Sequence, residues 1–309
     1  MTSTILFDQE AGIATLRFNR PDRRNALGRD ELSGIQRALN ELRPETRVLV
    51  ITSASGATFC AGADLQQIRY NPPMNLLLLQ SNQINGQQAV VTGRQLEHLR
   101  LVHQQTDGAK IRVGEVNGLM GSAIIESIDD HQAVLNLSLN SKPPAPLPLT
   151  LVMAMPRPKM LRRCLQTVSS MGVKTIYLIN SSRVEKSFWQ TPFLEKQAIE
   201  NQLILGLEQS RDTILPTVIQ KKLFKPFVED ELANIIGEST ALVGHPQGSE
   251  PCPINIQTPT TLVVGPEGGF IPYEIEKLKE VGVKAVTIGP RILRVETAIP
   301  ALISRLFPS

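Results

Sequence analysis

Two short stretches near the C-terminus combine bare backbone with ionisable side chains. One reads Val263-Val264-Gly265-Pro266-Glu267-Gly268-Gly269-Phe270, the other Ile288-Gly289-Pro290-Arg291-Ile292-Leu293-Arg294-Val295-Glu296-Thr297-Ala298. Glycine has no Cβ, so its backbone reaches φ > 0 and comes close to a ligand; Gly268 and Gly269 are expected to offer that freedom twice. Each turn follows a β-rich apolar run and precedes a helical pattern. Alone, either turn is ordinary punctuation; together they would bring two lengths of backbone to one place, which suits a nucleotide-like ligand. Arg291, Arg294, Glu296 and Thr297 stand just before Ile299, Leu302, Ile303 and Leu306, which follow the i, i+3, i+4, i+7 rule of one helix face. These polar groups therefore belong to a helix start, where orphan N–H groups and the positive dipole end favour a polar or anionic ligand. Either Glu296 or Thr297 is expected to cap that helix; capping accounts for one residue and for neither arginine.

The elements that must position these groups follow from periodicity. After residue 148, β-rich runs at 149–153, 175–179, 240–243, 261–264 and 285–288 alternate with helical patterns, which predicts an α/β domain with a mainly parallel sheet. Four prolines within 141–148 predict an extended linker. Upstream, short alternating segments such as 110–113 and 133–139, separated by Gly and Asn turns, predict a small β-barrel. Residues 1–70 read as strand, turn, helix, strand: Ile13, Thr15, Leu16 and Phe18, then a helix over 31–42 with Leu32, Ile35, Leu39 and Leu42 on one face, then 48–51. Asn71-Pro72-Pro73 breaks the pattern, and Met74 follows.

A length of 309 residues accommodates two or three domains. The net charge of +3 and pI near 8.8 fall short of the basic excess of a general nucleic-acid binder, so any basic surface must be local. Arg157, Lys159, Arg162 and Arg163 form one cluster beside a predicted strand end; Lys221, Lys222 and Lys225 form another. Each could equally be a solvated helix face. Cys60, Cys164 and Cys252 are too scattered for a disulfide framework or a metal site. With no signal peptide and no apolar run of eighteen residues, a reducing cytoplasmic setting is the default.

The paired stretches Gly-Pro-Glu-Gly-Gly-Phe and Gly-Pro-Arg-Ile-Leu-Arg-X-Glu-Thr-Ala resemble the signature of the 16S ribosomal RNA uridine N3-methyltransferases, members of the knotted SPOUT class. The likeness runs upstream through Glu208-Gln209-Ser210-Arg211 to about Met74, roughly three quarters of the chain. It implies a trefoil-knotted methyltransferase domain over 149–309 and a PUA-like RNA-binding β-barrel over 74–140, with Glu97-His98-Leu99-Arg100 in the barrel's helix. It also implies S-adenosylmethionine as cofactor with no metal, 16S rRNA or the small ribosomal subunit as partner, and a homodimer, because such enzymes build each site at a two-fold interface. The implied cofactor contacts fall on Val243, Gly244, Val264, Gly265, Gly268, Gly269, Ile288, Gly289, Leu293, Thr297 and Ala298. RNA would meet Arg157, Lys159, Arg162, Arg163, Arg183 and Arg211. The first helix after the linker departs from the family: the stretch 166–173 lacks its usual Lys and Glu-Leu-Gly-Val string, and the basic residues are displaced to Lys159, Arg162 and Arg163.

Methylation at N3 of uridine needs loss of the imide proton and in-line attack on the sulfonium methyl, so the site must orient, exclude water and stabilise an anion. Arginine stays charged and offers forked donors, which makes Arg294 the first candidate for substrate activation. Glu296 could accept a cofactor hydrogen bond or act as general base. His245, in the 244–248 turn, either lines the pocket or is simply exposed. Trp189, with Phe188 and Arg183, either stacks on a flipped base or packs in the core. Glu208, Gln209 and Arg211 either meet substrate or pair with neighbouring chain.

The N-terminal segment is similar to something unrelated. Phe18-Asn19-Arg20-Pro21, Arg24-Asn25-Ala26-Leu27 and Phe59-Cys60-Ala61-Gly62-Ala63-Asp64-Leu65 resemble the opening of the enoyl-CoA hydratase (crotonase) family. The resemblance implies that the Ala63 N–H is one of two oxyanion donors and that Arg23 and Arg24 lie along coenzyme A. One donor is not an oxyanion hole, and the second donor and the catalytic acids come from later parts of such proteins. Residues 1–73 therefore read as a truncated, inactive crotonase-like segment, expected to be weakly ordered or to stick to the rest of the chain. Methylation of 16S rRNA is the leading expectation. A non-catalytic rRNA-binding assembly factor and an acyl-CoA hydratase-type activity are the alternatives.

Overall fold

The computed structural model describes residues 4–54, 58–62, 75–101, 107–247 and 250–308. The chain divides into two compact units, Met1–Asn71 and Pro72–Ser309. Ala63, Asp64, Leu65, Met74 and Gly248 lie outside the described residues.

In the first unit, β1 (Ile5–Glu10) runs antiparallel to β2 (Ile13–Phe18), and β2 pairs in parallel with β3 (Val48–Ser53). A parallel pair needs a crossover, which is α1 (Arg29–Asn40). Ile5, Leu16, Phe18 and Ala38 form the small core. The apolar face expected for α1 is corrected: Leu32 is 56% and Leu39 39% exposed, while Glu31 and Ala38 are buried. The helix begins earlier, and Glu31 is drawn inward because its Oε2 accepts from the Gly28 N–H at 2.8 Å and from Arg20 Nη1 at 3.2 Å. That rotation turns Leu32 and Leu39 outward. Ile13, Val48, Val50 and Ile51 are also exposed, because three strands and one helix cannot cover both faces of the sheet.

The second unit begins with β4 (Leu77–Leu79), β5 (Ile84–Asn85), β6 (Gln88–Val91), α2 (Gly93–Leu101), β7 (Lys110–Glu115), β8 (Met120–Ile128) and β9 (Ala133–Ser141). These strands form one six-stranded sheet in the order β4-β7-β8-β9-β6-β5. Alternation along them buries Val113, Ala123, Ile125, Leu135 and Leu137 on one face, as a half-buried antiparallel sheet requires.

The remainder is α/β. The parallel strands are β10 (Leu149–Ala154), β11 (Thr175–Ile179), β12 (Thr217–Lys221), β13 (Thr240–Gly244), β14 (Glu250–Pro251), β15 (Thr260–Val264) and β16 (Lys284–Thr287). Their helices are α3 (Pro158–Ser170), α4 (Lys196–Ser210), α5 (Phe224–Pro226), α6 (Ala233–Ile236), α7 (Pro272–Glu280) and α8 (Val295–Leu306). The sheet order is β12-β11-β10-β15-β13-β16-β14, and every pairing is parallel. β15 thus lies between two strands that precede it in the chain. β10 and β15 read as continuous apolar runs because both of their faces are covered. β12 has no such run: Thr217-Val218-Ile219-Gln220-Lys221 is an edge strand, exposed on one side, which is why periodicity passes it over. In α8, Ile299, Leu302, Ile303 and Leu306 are all buried, as their spacing predicts.

The linker is not what joins the six-stranded sheet to the α/β part. Leu76, Leu78, Ile204 and Leu207 share a core between them. The Asn75 and Leu76 N–H groups donate to the Glu208 carbonyl, and the Asn117 N–H donates to that of Thr213 at 2.8 Å.

Candidate functional site

Three strands end side by side at one place. Beyond Gly244 of β13, Val264 of β15 and Thr287 of β16, the loops converge with the first turns of α8 around a cavity of about 260 Å³. The carboxyl ends of parallel strands are where α/β sheets bind ligands. Gly265 to Phe270 form one wall, and Ile288, Gly289, Arg291, Ile292 and Leu293 form another. His245 and Pro246 from the β13 loop, with Val295, Ala298 and Leu302 of α8, complete the lining.

Glycine is required here for two different reasons. Gly269 has φ +71, the left-handed region. Gly244 is held by space: a Cβ there would come 2.6 Å from Leu302 Cδ1, so the bare backbone lets α8 pack against the strand end. The expectation that Gly268 and Gly269 both supply positive φ is corrected. Gly268 is small because the Arg183 side chain passes over it, with its Cδ 2.9 Å from where a Cβ would stand.

The 265–270 loop is tied down by polar contacts. Arg183 Nη1 donates to the Gly268 carbonyl. Glu267 Oε1 accepts from the Arg157 N–H at 2.9 Å, joining the loop to the start of α3. The buried Glu274 carboxylate accepts from the Ile271 N–H at 2.9 Å and the Ser182 N–H at 2.6 Å, which fixes the loop's exit. Arg157, Lys159, Arg162 and Arg163 are exposed at the first turns of α3, and Arg162 lies over the Phe193 ring at 5.2 Å. Arg157 and Arg183 thus border the loop from two elements distant from it in sequence.

Of the residues expected to hold a cofactor, Gly244, Val264, Gly265, Gly268, Gly269, Ile288, Gly289, Leu293 and Ala298 line the cavity; Val243 and Thr297 do not. Val243 is fully buried within β13, and Thr297 faces outward from α8. Neither Arg294 nor Glu296 is part of the lining, whereas Arg291 is. Arg294 is the N-cap of α8 with its side chain exposed. The expected cap is corrected as well: no side chain caps this helix, because Glu296 and Thr297 lie within it, past the capping position. Glu296 faces α3 instead. Burial, reinforced by the Glu296 and Glu267 carboxylates, pushes the Cys164 thiol up to about 12, so it stays protonated and inert.

His245 lines the cavity, and its Nδ1 accepts from the Gln247 N–H at 3.2 Å. Burial, with the Lys279 ammonium nearby, holds its imidazole below the ordinary range. Trp189 follows the packing alternative: Nε1 donates to Asn180 Oδ1 at 3.0 Å, and Trp189 and Phe188 rest on the core. Glu208 likewise pairs with neighbouring chain, accepting from Arg94. Arg211 stands apart from the other predicted RNA contacts. It precedes β12 and so sits at the amino end of the sheet, opposite the cavity. Among the described residues no group of three His, Cys, Asp or Glu side chains is placed to hold a metal ion, and no helix is long and apolar enough to cross a membrane.

Sequence reasoning missed Pro246, Pro266 and Phe270 as lining residues. Phe270 was legible in the signature, as the apolar residue closing the first glycine turn.

The profile of a family described as RNA methyltransferase domain matches residues 143–307. That of enoyl-CoA hydratase/isomerase matches residues 8–96. The ribosomal RNA small subunit methyltransferase E of Treponema pallidum is 29% identical over 243 residues, which are 73% of this chain and 87% of that protein. A crystal structure of a ribosomal RNA small subunit methyltransferase E from Neisseria gonorrhoeae, bound to S-adenosyl methionine, superposes with a TM-score of 0.59 at 23% identity, covering 75% of this chain and 96% of that one; this likeness is one of fold. An enoyl-CoA hydratase domain-containing protein 2 from Bos taurus is 47% identical over 58 residues, 18% of this chain and 20% of that protein.

Proposed function

This chain belongs to the RNA methyltransferase domain family, and from that premise we propose that it transfers a methyl group from S-adenosylmethionine to N3 of a uridine in the 16S rRNA of the small ribosomal subunit. The observation that carries this reading is the convergence of two glycine-containing loops and the start of α8 around one cavity at the strand ends. The lining fits a nucleoside-like group. Val264, Phe270, Ile288 and Leu302 offer apolar surface for a flat ring, and the glycine loops around them present bare backbone rather than side chains.

When bound, S-adenosylmethionine supplies the electrophilic methyl. The chain's own residues supply the rest. The 265–270 loop, held by Arg183, Arg157 and Glu274, keeps its backbone fixed, so little is lost in ordering it on binding. A bound ligand would displace water from the apolar part of the lining. Arg294, charged and exposed at the helix start, is the candidate to stabilise the negative charge that builds on the uracil carbonyl oxygens as N3 loses its proton. Glu296 is the candidate acceptor of that proton. Arg157, Lys159, Arg162, Arg163 and Arg183 form the basic approach by which RNA reaches the cavity.

Several finer features belong to the same reading. The placement of β15 between β10 and β13, followed by β16 beyond β13, supports a trefoil-knotted domain over 149–309. The six-stranded sheet with α2 supports a PUA-like barrel over 74–140, and the identity to an enoyl-CoA hydratase domain-containing protein supports a crotonase-like fragment over 1–73. Arg294 and Glu296 stand outside the lining of their own chain's cavity, and Ile292 beside them is 82% exposed. Both facts favour a homodimer in which a second copy completes the site. A ribosomal RNA substrate supports a cytoplasmic setting.

Methyl transfer from labelled S-adenosylmethionine to small subunits lacking N3-methyluridine tests the proposal, comparing the full chain with one lacking residues 1–73. Equal label at uridine N3 supports the enzyme and makes residues 1–73 a passenger. Label only with the shortened chain makes them an inhibitor. Cofactor binding without transfer in either would replace the enzyme with a non-catalytic rRNA-binding assembly factor. Crotonyl-CoA hydration by the full chain would revive the acyl-CoA alternative.

A further inference from the structure

The first unit leaves one strand edge open. β3 pairs with β2 on one side, and among the described residues no strand pairs with its other side. The register shows which backbone groups are left over. The Val48 N–H donates to the Gly12 carbonyl at 3.3 Å and the Ala54 N–H to the Phe18 carbonyl at 2.9 Å. The even-numbered residues of β3 therefore bond to β2, and the N–H and C=O groups of Leu49 and Ile51 point away from the sheet.

An open edge is normally blunted by charge, proline, a bulge or short length. β3 has none of these devices. Val-Leu-Val-Ile-Thr-Ser is 6 residues long and uncharged, its register with β2 runs unbroken, and its β-branched side chains favour a strand. Val48 is 50%, Val50 40% and Ile51 47% exposed. The other edge strands among the described residues are protected. β1 carries Asp8 and Glu10, and its Gln9 is bound to Glu41 and Arg43. β12 ends on Lys221, while β4, β5 and β14 have only 3, 2 and 2 residues.

We propose that β3 pairs antiparallel with β3 of a second copy of this chain, centred on Val50. Two identical strands paired in this way are related by a two-fold axis. Centring on Val50 sets Leu49 against the partner's Ile51, so the outward-facing N–H and C=O groups of both strands satisfy one another. Val50 meets the partner's Val50 on the face away from α1, and Val48 meets the partner's Thr52. Each cross-strand pair is aliphatic or β-branched, the kind that stabilises a sheet. Charge fits as well. Arg47, just before the strand, falls at the opposite end from the partner's Arg47, whereas β1 paired with itself would crowd the Asp8 and Glu10 carboxylates of two copies onto one face. A second copy is favoured over an unrelated strand because the fit needs an uncharged, β-branched edge of equal length, and among the described strands that edge is β3 itself. Pairing consumes the open edge of each chain, so this contact closes as a pair instead of growing into a fibre. It is separate from the pairing that would complete the methyl-transfer site, and it does not rest on that reading.

Disulfide trapping in the full chain tests the register. Val50 and the partner's Val50 form a non-hydrogen-bonded pair with Cα atoms about 4.5 Å apart, within the roughly 4.4–6.8 Å that a disulfide spans. Thr52 and the partner's Thr52, on the same face, stand about 14 Å apart in this register and cannot be bridged. Under mild oxidation Val50→Cys should form a covalent dimer roughly a hundredfold faster than Thr52→Cys, the gain expected when held thiols replace a chance encounter. The wild-type chain, whose Cys60 is partly exposed, sets the background. Equal rates in the two variants would overturn the pairing. Hydrogen exchange at the Leu49 and Ile51 amides then identifies what covers the edge. Val50→Lys sets like charges face to face and should abolish their protection; co-expression with Val50→Glu should restore it, because opposite charges then meet. Protection that survives Val50→Lys would assign the edge to a segment of the same chain and overturn the proposal. So would protection that co-expression fails to restore, or wild-type amides that exchange without protection.

Discussion

Arg94 grips the buried carboxylate of Glu208 with both arms of its guanidinium, Nη1 to Oε2 and Nη2 to Oε1, each at 2.9 Å. The pair links α2 of the six-stranded sheet to α4 of the α/β part, and it stands where Glu208 could otherwise have been read as a substrate contact. Burial holds the Glu208 carboxyl above the usual carboxylate range, with Arg94 pulling it back down. Removing the guanidinium leaves a buried charge without its partner. Arg94→Ala should cost about 3 kcal/mol at pH 7.5. The sign of the pH dependence follows from linkage. In the variant the folded-state pKa rises further above the unfolded value, so the native state keeps a proton that the unfolded chain has released. Stability is then fully present below the unfolded pKa and lost as pH rises through the folded one. The deficit should shrink as pH falls from 7.5 to 5. Urea unfolding followed by Trp189 fluorescence at the two pH values measures it, and a deficit independent of pH would contradict the argument.

Gly244 sets the distance between β13 and α8. A methyl group there would lie 2.6 Å from Leu302 Cδ1, and overpacking of this kind costs about 1–3 kcal/mol. Gly244→Ala should lower the melting temperature and weaken S-adenosylmethionine binding together, because Leu302 also lines the cavity. Adding Leu302→Ala should recover part of the stability. Calorimetric melting and cofactor titration of the two variants provide the comparison.

His245 should make cofactor binding pH-dependent. Its imidazole is held below the ordinary range, first by burial and then by Lys279, and its Nδ1 accepts a hydrogen bond that protonation would break. The neutral form is therefore the folded state's preference at pH 7. As pH falls through the depressed pKa, the ring becomes a cation beside a ligand that carries a sulfonium. Repulsion between two such charges is worth about 1 kcal/mol in a partly solvated cleft, or roughly fivefold in affinity. S-adenosylmethionine affinity should fall between pH 7 and pH 5 in the wild type and change less in His245→Asn. The same depressed pKa gives the protein stability that is present above the unfolded value and lost as pH falls through the folded one.

Arg294 and Arg291 should separate kinetically. Arg291 lines the cavity and Arg294 does not. Arg291→Ala should raise the dissociation constant for the cofactor. Arg294→Ala should leave that constant unchanged and lower single-turnover methyl transfer about 100-fold, the usual loss for one donor to a developing oxyanion. Equal loss of cofactor binding in both variants would remove Arg294 from substrate activation.

The amino-acid sequence by itself determined the features that local chemistry dictates. Apolar runs at β10, β11, β13, β15 and β16 announced the parallel strands, because strands covered on both faces need no polar alternation. The spacing of Ile299, Leu302, Ile303 and Leu306 announced the buried face of α8, and the glycine turns announced the walls of the cavity. Tertiary structure alone decided what depends on groups distant in the chain. The buried side of α1 turned on Glu31 finding Arg20 and the Gly28 N–H. The small size of Gly268 answers to Arg183, and Glu208 answers to Arg94, 114 residues away. The family resemblance has Arg211 meeting RNA along with the α3 cluster, yet chain direction carries it to the opposite end of the sheet. Charge and residue type are written in the sequence; which charges share a surface is set by strand order, and strand order comes from long-range pairing that no local pattern encodes.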